Sequence, residues 1–230
     1  MCRLSTWCGV LIGLATVMLP VGMLGQEGAS PAGLCQEEAN EGFVSLFDGK
    51  SLAGWQGDTT GYVVENGVLV CTEKGRNLFS EKEYSDFILR LEYKLPPGGN
   101  NGVFIRTPME PGTPAYIGME IQILDDYAAK WGNLKPEQYN GSIYGAVPAK
   151  RGFLKQPGEW NSMEIMAKGH QVRITLNGTL IVDADVSQEG PKSIHGSELK
   201  GLLRTQGHVG FTGHGDRVEF RNIRIKELTQ

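Results

Sequence analysis

Residues 100–126 read NNGVFIRTPMEPGTPAYIGMEIQILDD and carry side chains suited to holding a polyol. From Met119 to Leu124, Met119, Ile121 and Ile123 alternate with Glu120, Gln122 and Leu124. Side chains alternate across a strand, so one face is apolar and the other presents a carboxylate and an amide. At strand rise Glu120 and Gln122 lie about 6.5–7 Å apart, the spread of two hydroxyls on one pyranose ring. In the preceding run Val103 and Ile105 share an apolar face, which predicts that Arg106 points to the side of Glu120 and Gln122. A guanidinium there would neutralise Glu120 or fork onto a substrate oxygen. The competing reading is a surface salt bridge, worth little. Glu-x-Gln by itself is not a specific motif.

A second group is Gly213-His214-Gly215-Asp216. Glycines on both sides free the backbone to place the imidazole, the usual proton carrier near neutral pH. Asp216 would orient it. The alternative is a solvated turn. Trp55, Tyr116, Trp131, Tyr144 and Trp160 fall at strand ends or in loops, where a ring can stack on the C–H face of a sugar. Trp131, just after Asp125-Asp126, is the best platform; Trp55 and Trp160 read more as core. His170, His195 and His208 show no ligand spacing. The chain has no GxSxG, P-loop or zinc-ligand cluster, which sets aside serine-nucleophile and nucleotide chemistry.

The elements that must position these groups read as strands throughout. Tyr62–Val64 and Val68–Val70 flank Asn66-Gly67, a hairpin signal because both turn residues tolerate positive φ. Phe87, Leu89, Leu91 and Tyr93 alternate with polar partners, as do Met163–Ala167 and Val172–Leu176, and Asn177-Gly178 turns the chain into Leu180–Val182. Val209–Phe211, Val218–Phe220 and Ile223–Ile225 close the domain, with a bulge expected near Arg221-Asn222 where the inward parity changes. No helical period is sustained. Residues 126–139 and 187–203 are long connections, each with room for a short helical turn, of the kind that often carries function. Ten or more antiparallel strands predict an all-β fold, a two-sheet sandwich of jelly-roll type.

The 230 residues, 40% hydrophobic and 21% charged with a net charge of −4, are enough for one globular core. No basic stripe interleaves with aromatics, so nucleic acid is not an expected partner. Arg3 followed by the apolar run Val10–Leu24 and small residues from Gly25 reads as a secretory signal over 1–25. Gly13, Pro20 and Gly22 interrupt the run and argue against a permanent anchor, and Leu34 argues against a lipid anchor at Cys35. The expectation is an exported chain, periplasmic or extracellular, off the membrane once the signal is cleaved. Residues 26–41 read as a linker and 42–228 as the domain. The mature chain keeps Cys35 and Cys71, which are candidates for a disulfide in an oxidising compartment.

Phe43–Trp55 (FVSLFDGKSLAGW), NNGVFIR at 100–106, MEIQILDD at 119–126, WNSMEIMAKGHQVRITLNG at 160–178 and GHGDRVEFRNIRIKEL at 213–228 together resemble the 3-keto-disaccharide hydrolase domain family. The resemblance runs in order over nearly all of residues 42–228. It implies a concanavalin A/laminin-G-like sandwich and cleavage of glycosides already oxidised to the 3-ketone. A C3 ketone acidifies the C2 proton, and the resulting enolate can expel the C1 oxygen by β-elimination. Such a site needs a base, an enolate stabiliser and an acid. For that implied chemistry we expect Glu120 or His214 as base, Arg106 as oxyanion stabiliser and Tyr144 as acid. Asn101, Gln122, Asp125, Trp131 and Asp216 complete the sugar site. The resemblance leaves room for a divalent ion, with Glu120, Asp125 and His214 as the ligands to test. The competing readings are a non-catalytic carbohydrate-binding sandwich, a two-carboxylate glycosidase and an adhesion domain.

Overall fold

The computed structural model describes residues 34–190 and 193–229. The proposed signal segment lies outside them. Fifteen strands run β1 (Val44–Ser45), β2 (Trp55–Gly57), β3 (Tyr62–Glu65), β4 (Val68–Cys71), β5 (Asn77–Tyr84), β6 (Phe87–Lys94), β7 (Asn100–Thr107), β8 (Met119–Leu124), β9 (Trp160–Lys168), β10 (Gln171–Leu176), β11 (Thr179–Asp185), β12 (Ser193–Ile194), β13 (Ser197–Glu198), β14 (Gly207–Gly213) and β15 (Val218–Glu227). They form a sheet of order β11-β10-β9-β6-β15-β4-β3, with β1 also on β15, and a facing sheet of order β2-β5-β14-β7-β8. β12 and β13 make a separate hairpin. Every pairing is antiparallel. The expected two-sheet β-sandwich is what the chain builds.

The period-2 pattern does this work. Phe87, Leu89, Leu91 and Tyr93 of β6 are buried and their alternates are half-exposed. The inner faces of the two sheets meet in one core, where the Phe211 ring of β14 stacks on Phe220 of β15 at 4.1 Å between centroids. The expected bulge in β15 is present: its register against β6 shifts between Arg221 and Arg224, and Asn222 has φ +51°.

Two features depart from expectation. β5 is a full eight-residue strand inside its sheet, yet Asn77–Tyr84 has no clean alternation in sequence because Glu81, Lys82 and Glu83 are all exposed at a register shift against β14. Residues 36–40, inside the expected linker, form a short helix α1 (Gln36–Asn40). It is held on the domain by Glu38, whose carboxylate takes the Nε–H of Arg224 at 2.7 Å and Nη1–H of Arg90 at 3.1 Å. Those partners come from β15 and β6, distant in sequence, so no local signal announces the helix. Cys71 is a buried free thiol, and no bridge to Cys35 is formed.

Candidate active site

The outer face of the five-stranded sheet carries the candidate site. β8 is its edge strand, and the chain after it returns along that edge. The Gly141 N–H donates to Gln122 O, Gln122 N–H to Ser142 O, and Tyr144 N–H to Glu120 O at 2.8 Å. Tyr144 is thereby fixed beside Glu120. A short helix α2 (Pro114–Ile117) and the turn Ala129–Trp131 close the other sides.

These segments enclose a pocket of about 190 Å³. One wall is polar, made by Asn100, Glu120, Gln122, Gln138, Tyr144 and His214. The other is apolar and aromatic, made by Ala115, Tyr116, Leu124, Trp131 and Leu134. Hollows of about 300 and 410 Å³ lie elsewhere on the described surface. The first is lined by Glu38, Arg90, Glu164 and Arg224, which spend their charges on one another. The second has Arg217 on its rim, already paired with Glu65. Neither offers a carboxylate with a proton carrier beside it.

Glu120 is 4% exposed, and its Oε1 lies 3.6 Å from Nε2 of His214, which is 37% exposed. A dry carboxylate therefore faces an imidazole open to solvent. The carboxylate lies over Gly102 of β7, where a Cβ would come within 2.7 Å of Glu120 Cγ and Cδ. Only a residue without a side chain leaves this space. Gln122 donates from Nε2 to Asn100 Oδ1 at 2.9 Å, which turns its amide along the pocket wall. Trp131 donates from Nε1 to Gly98 O at 3.1 Å, so the ring is pinned as a wall. Burial pushes the Tyr144 phenol up, and the Glu120 charge adds to the rise.

Five of the expected residues are brought together here: Glu120, Gln122, Trp131, Tyr144 and His214. Four are not in the pocket. Arg106 is fully buried and absent from the pocket lining: it donates to Ser85 O at 2.9 Å, Gly169 O at 2.6 Å and Asp86 Oδ1 at 3.1 Å. The parity argument fails because Arg106 has φ +51° and sits in a bulge where three steps of β7 span two of β14. Asn101 points inward, with Oδ1 accepting from Gly102 N–H. Asp125 spends its carboxylate on the N–H groups of Gly98 and Tyr127. Asp216 accepts from Asn100 N–H at 3.0 Å, which ties the His214 loop to the start of β7 rather than orienting the imidazole directly.

The ligand set Glu120, Asp125 and His214 is accordingly not assembled. Among the described residues no three His, Cys, Asp or Glu side chains converge as metal ligands. The pocket also holds residues that sequence reasoning passed over, Asn100, Gln138, Leu134 and the neighbouring His195. Their only signal was position, since three of them fall in the two long connections.

Residues 42–226 match the model of the 3-keto-alpha-glucoside-1,2-lyase-like domain. The chain belongs to that family. A curated relative, the 3-keto-disaccharide hydrolase of Bacteroides thetaiotaomicron, is 29% identical over 82% of this chain and 79% of its own length. Two crystal structures from Parabacteroides distasonis, described as candidate glycosyl hydrolases, share the fold. One has a TM-score of 0.74 at 29% identity over 85% of this chain and 98% of that one. The other has a TM-score of 0.73 at 33% identity over 81% and 99%. The family places the chain among carbohydrate-active enzymes.

Proposed function

We propose that this protein cleaves the glycosidic bond of 3-keto-glycosides by proton abstraction at C2 and β-elimination, with water then adding to C1. The observation that carries this reading is the dry Glu120 carboxylate, seated over Gly102 beside His214, in a pocket of sugar-ring size. The pocket is smaller than the roughly 300–1,000 Å³ that drug-sized ligands occupy. It suits one ring, with the aglycone at the mouth.

Glu120 takes the C2 proton. His214 and the second amide N–H of Gln122 line the pocket with that carboxylate, and they take over the enolate-oxygen role expected of Arg106. As C3=O re-forms, the electron pair makes C1=C2, the C1–O bond breaks and Tyr144 gives the aglycone oxygen its proton. Water then bonds to C1, Tyr144 takes a proton from it, and Glu120, whose proton has exchanged with solvent through the open His214, protonates C2. Trp131 stacks on the ring. The N-terminal apolar run supports export, with the substrate met in the periplasm or outside the cell.

The test is an NMR time course with a 3-keto-disaccharide and its unoxidised parent in D₂O. Cleavage of the keto form alone, with deuterium entering C2, is the expected outcome. Cleavage of the unoxidised sugar would overturn the elimination chemistry. Binding of keto-sugar without turnover or exchange would make the domain a binding module.

A further inference from the structure

The two-residue turn between β12 and β13 carries His195 at φ +48° and Gly196 at φ +80°. The chain uses this geometry in two other hairpins, at Asn66-Gly67 (φ +51° and +79°) and Asn177-Gly178 (φ +49° and +84°). Asparagine is preferred at such a position because its short side chain tolerates positive φ. At the third turn a histidine stands where the other two have asparagine. Its imidazole reaches the pocket wall: Nε2 lies 3.4 Å from the Tyr144 hydroxyl and 3.3 Å from Gln138 Nε2.

The direction of these bonds follows from one anchor. Gln138 Oε1 accepts the Lys135 N–H at 3.1 Å, which fixes its amide so that Nε2 faces Tyr144 and His195. That nitrogen only donates. It donates to the Tyr144 oxygen at 3.1 Å, and its 3.3 Å approach to His195 Nε2 favours a neutral ring with a lone pair at that nitrogen. The phenolic proton of Tyr144 has His195 Nε2 as its acceptor, and the phenol shows the pocket a lone pair. An imidazolium at 195 reverses this. It would donate to the phenol and release the phenolic proton toward the pocket.

We propose that His195 is a positioning residue that acts through Tyr144: its proton decides whether the phenol meets the substrate as donor or as acceptor. This rests on the elimination and hydration chemistry proposed above. During elimination the aglycone oxygen takes the Tyr144 proton, and His195 imidazolium refills the phenol from Nε2. During hydration water loses a proton to Tyr144, whose own proton returns to Nε2. Each turnover restores both groups, and Glu120 separately takes the C2 proton, exchanges it with solvent and protonates C2 again. Among titratable groups, the charges of Glu120 and Tyr116 act on Tyr144, and Glu198 and Lys200 follow His195 in the sequence.

His195→Asn is the informative variant, since asparagine already serves this turn twice in the chain. With a 3-keto-disaccharide, whose leaving oxygen needs a proton, kcat should fall about 10-fold or more at unchanged KM. With a 4-nitrophenyl 3-keto-glucoside, whose leaving group needs none, the single-turnover rate of nitrophenolate release, which reads elimination alone, should stay near wild type. Tyr144→Phe should show the same split, and adding His195→Asn to it should cost little more. Wild-type kcat for His195→Asn on the disaccharide, or an equal loss on both substrates, would overturn the proposal. Deuterium entry at C2 in the wild-type protein keeps the two readings apart: without it the elimination chemistry itself fails, and with it only the role of His195 is at stake.

Discussion

His214 Nε2 stands 3.6 Å from Glu120 Oε1, although Glu120 lies on β8 and His214 directly follows β14, and β7 runs between those two strands. Gly102 on β7 makes this approach possible: with no side chain between β14 and β8, the Glu120 carboxylate can lie across the middle strand. The carboxylate is buried and the imidazole is open to solvent. This asymmetry suits the proposed base, which would take a carbon-bound proton and exchange it with solvent through its neighbour.

Replacing Glu120 with Gln keeps shape and burial but removes the proton acceptor. Turnover and C2 exchange should both fall by at least about 10²-fold. The thermal midpoint should stay near wild type, because among the described contacts no short salt bridge depends on this carboxylate. A variant that still exchanges C2 deuterium at the wild-type rate would remove Glu120 from the mechanism.

Gly102→Ala tests the space itself. A Cβ at 102 overlaps the carboxylate, and overpacking of this kind costs about 1–3 kcal/mol. The expected result is a folded protein with a modestly lowered midpoint and severely reduced kcat, since Glu120 must rotate away from His214. Wild-type activity would show that the seat over Gly102 is not the working position.

Much of this was legible in the sequence. The alternation through Met119–Leu124 placed Glu120 and Gln122 on the face where they lie, and Gly213-His214-Gly215 marked an imidazole that lines the pocket. Arg106 and Asp125 were misplaced for a shared reason. Side-chain parity propagates only along regular strand, and Arg106 sits at a bulge while Asp125 follows the last residue of β8. His195 and Gln138 had no periodic signal at all. They reach the pocket through loops whose course is set by distant anchors, such as Gly201 N–H on Tyr116 O. The apolar wall was half visible, in Tyr116, Leu124 and Trp131.

Arg106 predicts a stability phenotype instead of a catalytic one. Its guanidinium satisfies the carbonyls of Ser85 and Gly169 and the carboxylate of Asp86 in the interior. Arg106→Met should strand these acceptors and lower stability by about 3 kcal/mol in denaturant melts. The fraction that remains folded should retain wild-type kcat. A loss of kcat without loss of stability would return Arg106 to the site.

Trp131→Ala should raise KM about 10-fold, close to 1.4 kcal/mol of binding, with a smaller change in kcat. The ring forms one wall and contacts no reacting group. Trp131→Phe keeps a flat face but loses the bond to Gly98 O, so it should recover most of the affinity. Equal KM values for all three proteins would show that the sugar does not stack there.

Glu38 offers a pH-dependent handle remote from the pocket. Burial acts to raise its carboxyl, but the hydrogen bond and charge of Arg224, then those of Arg90, prevail and hold it below the usual carboxylate value. A group lowered in the folded state adds stability above its unfolded value, near 4.5, and loses it as pH falls through the folded one. Glu38→Gln should therefore cost about 1–2 kcal/mol at pH 7, where two guanidinium groups lose their charged acceptor. The gap between wild type and variant should shrink once the pH drops below about 4.5 and close further down. Thermal melts of both proteins between pH 3 and pH 7 would measure it. A gap that stays constant across that range would mean that Glu38 holds α1 on the sandwich through shape alone.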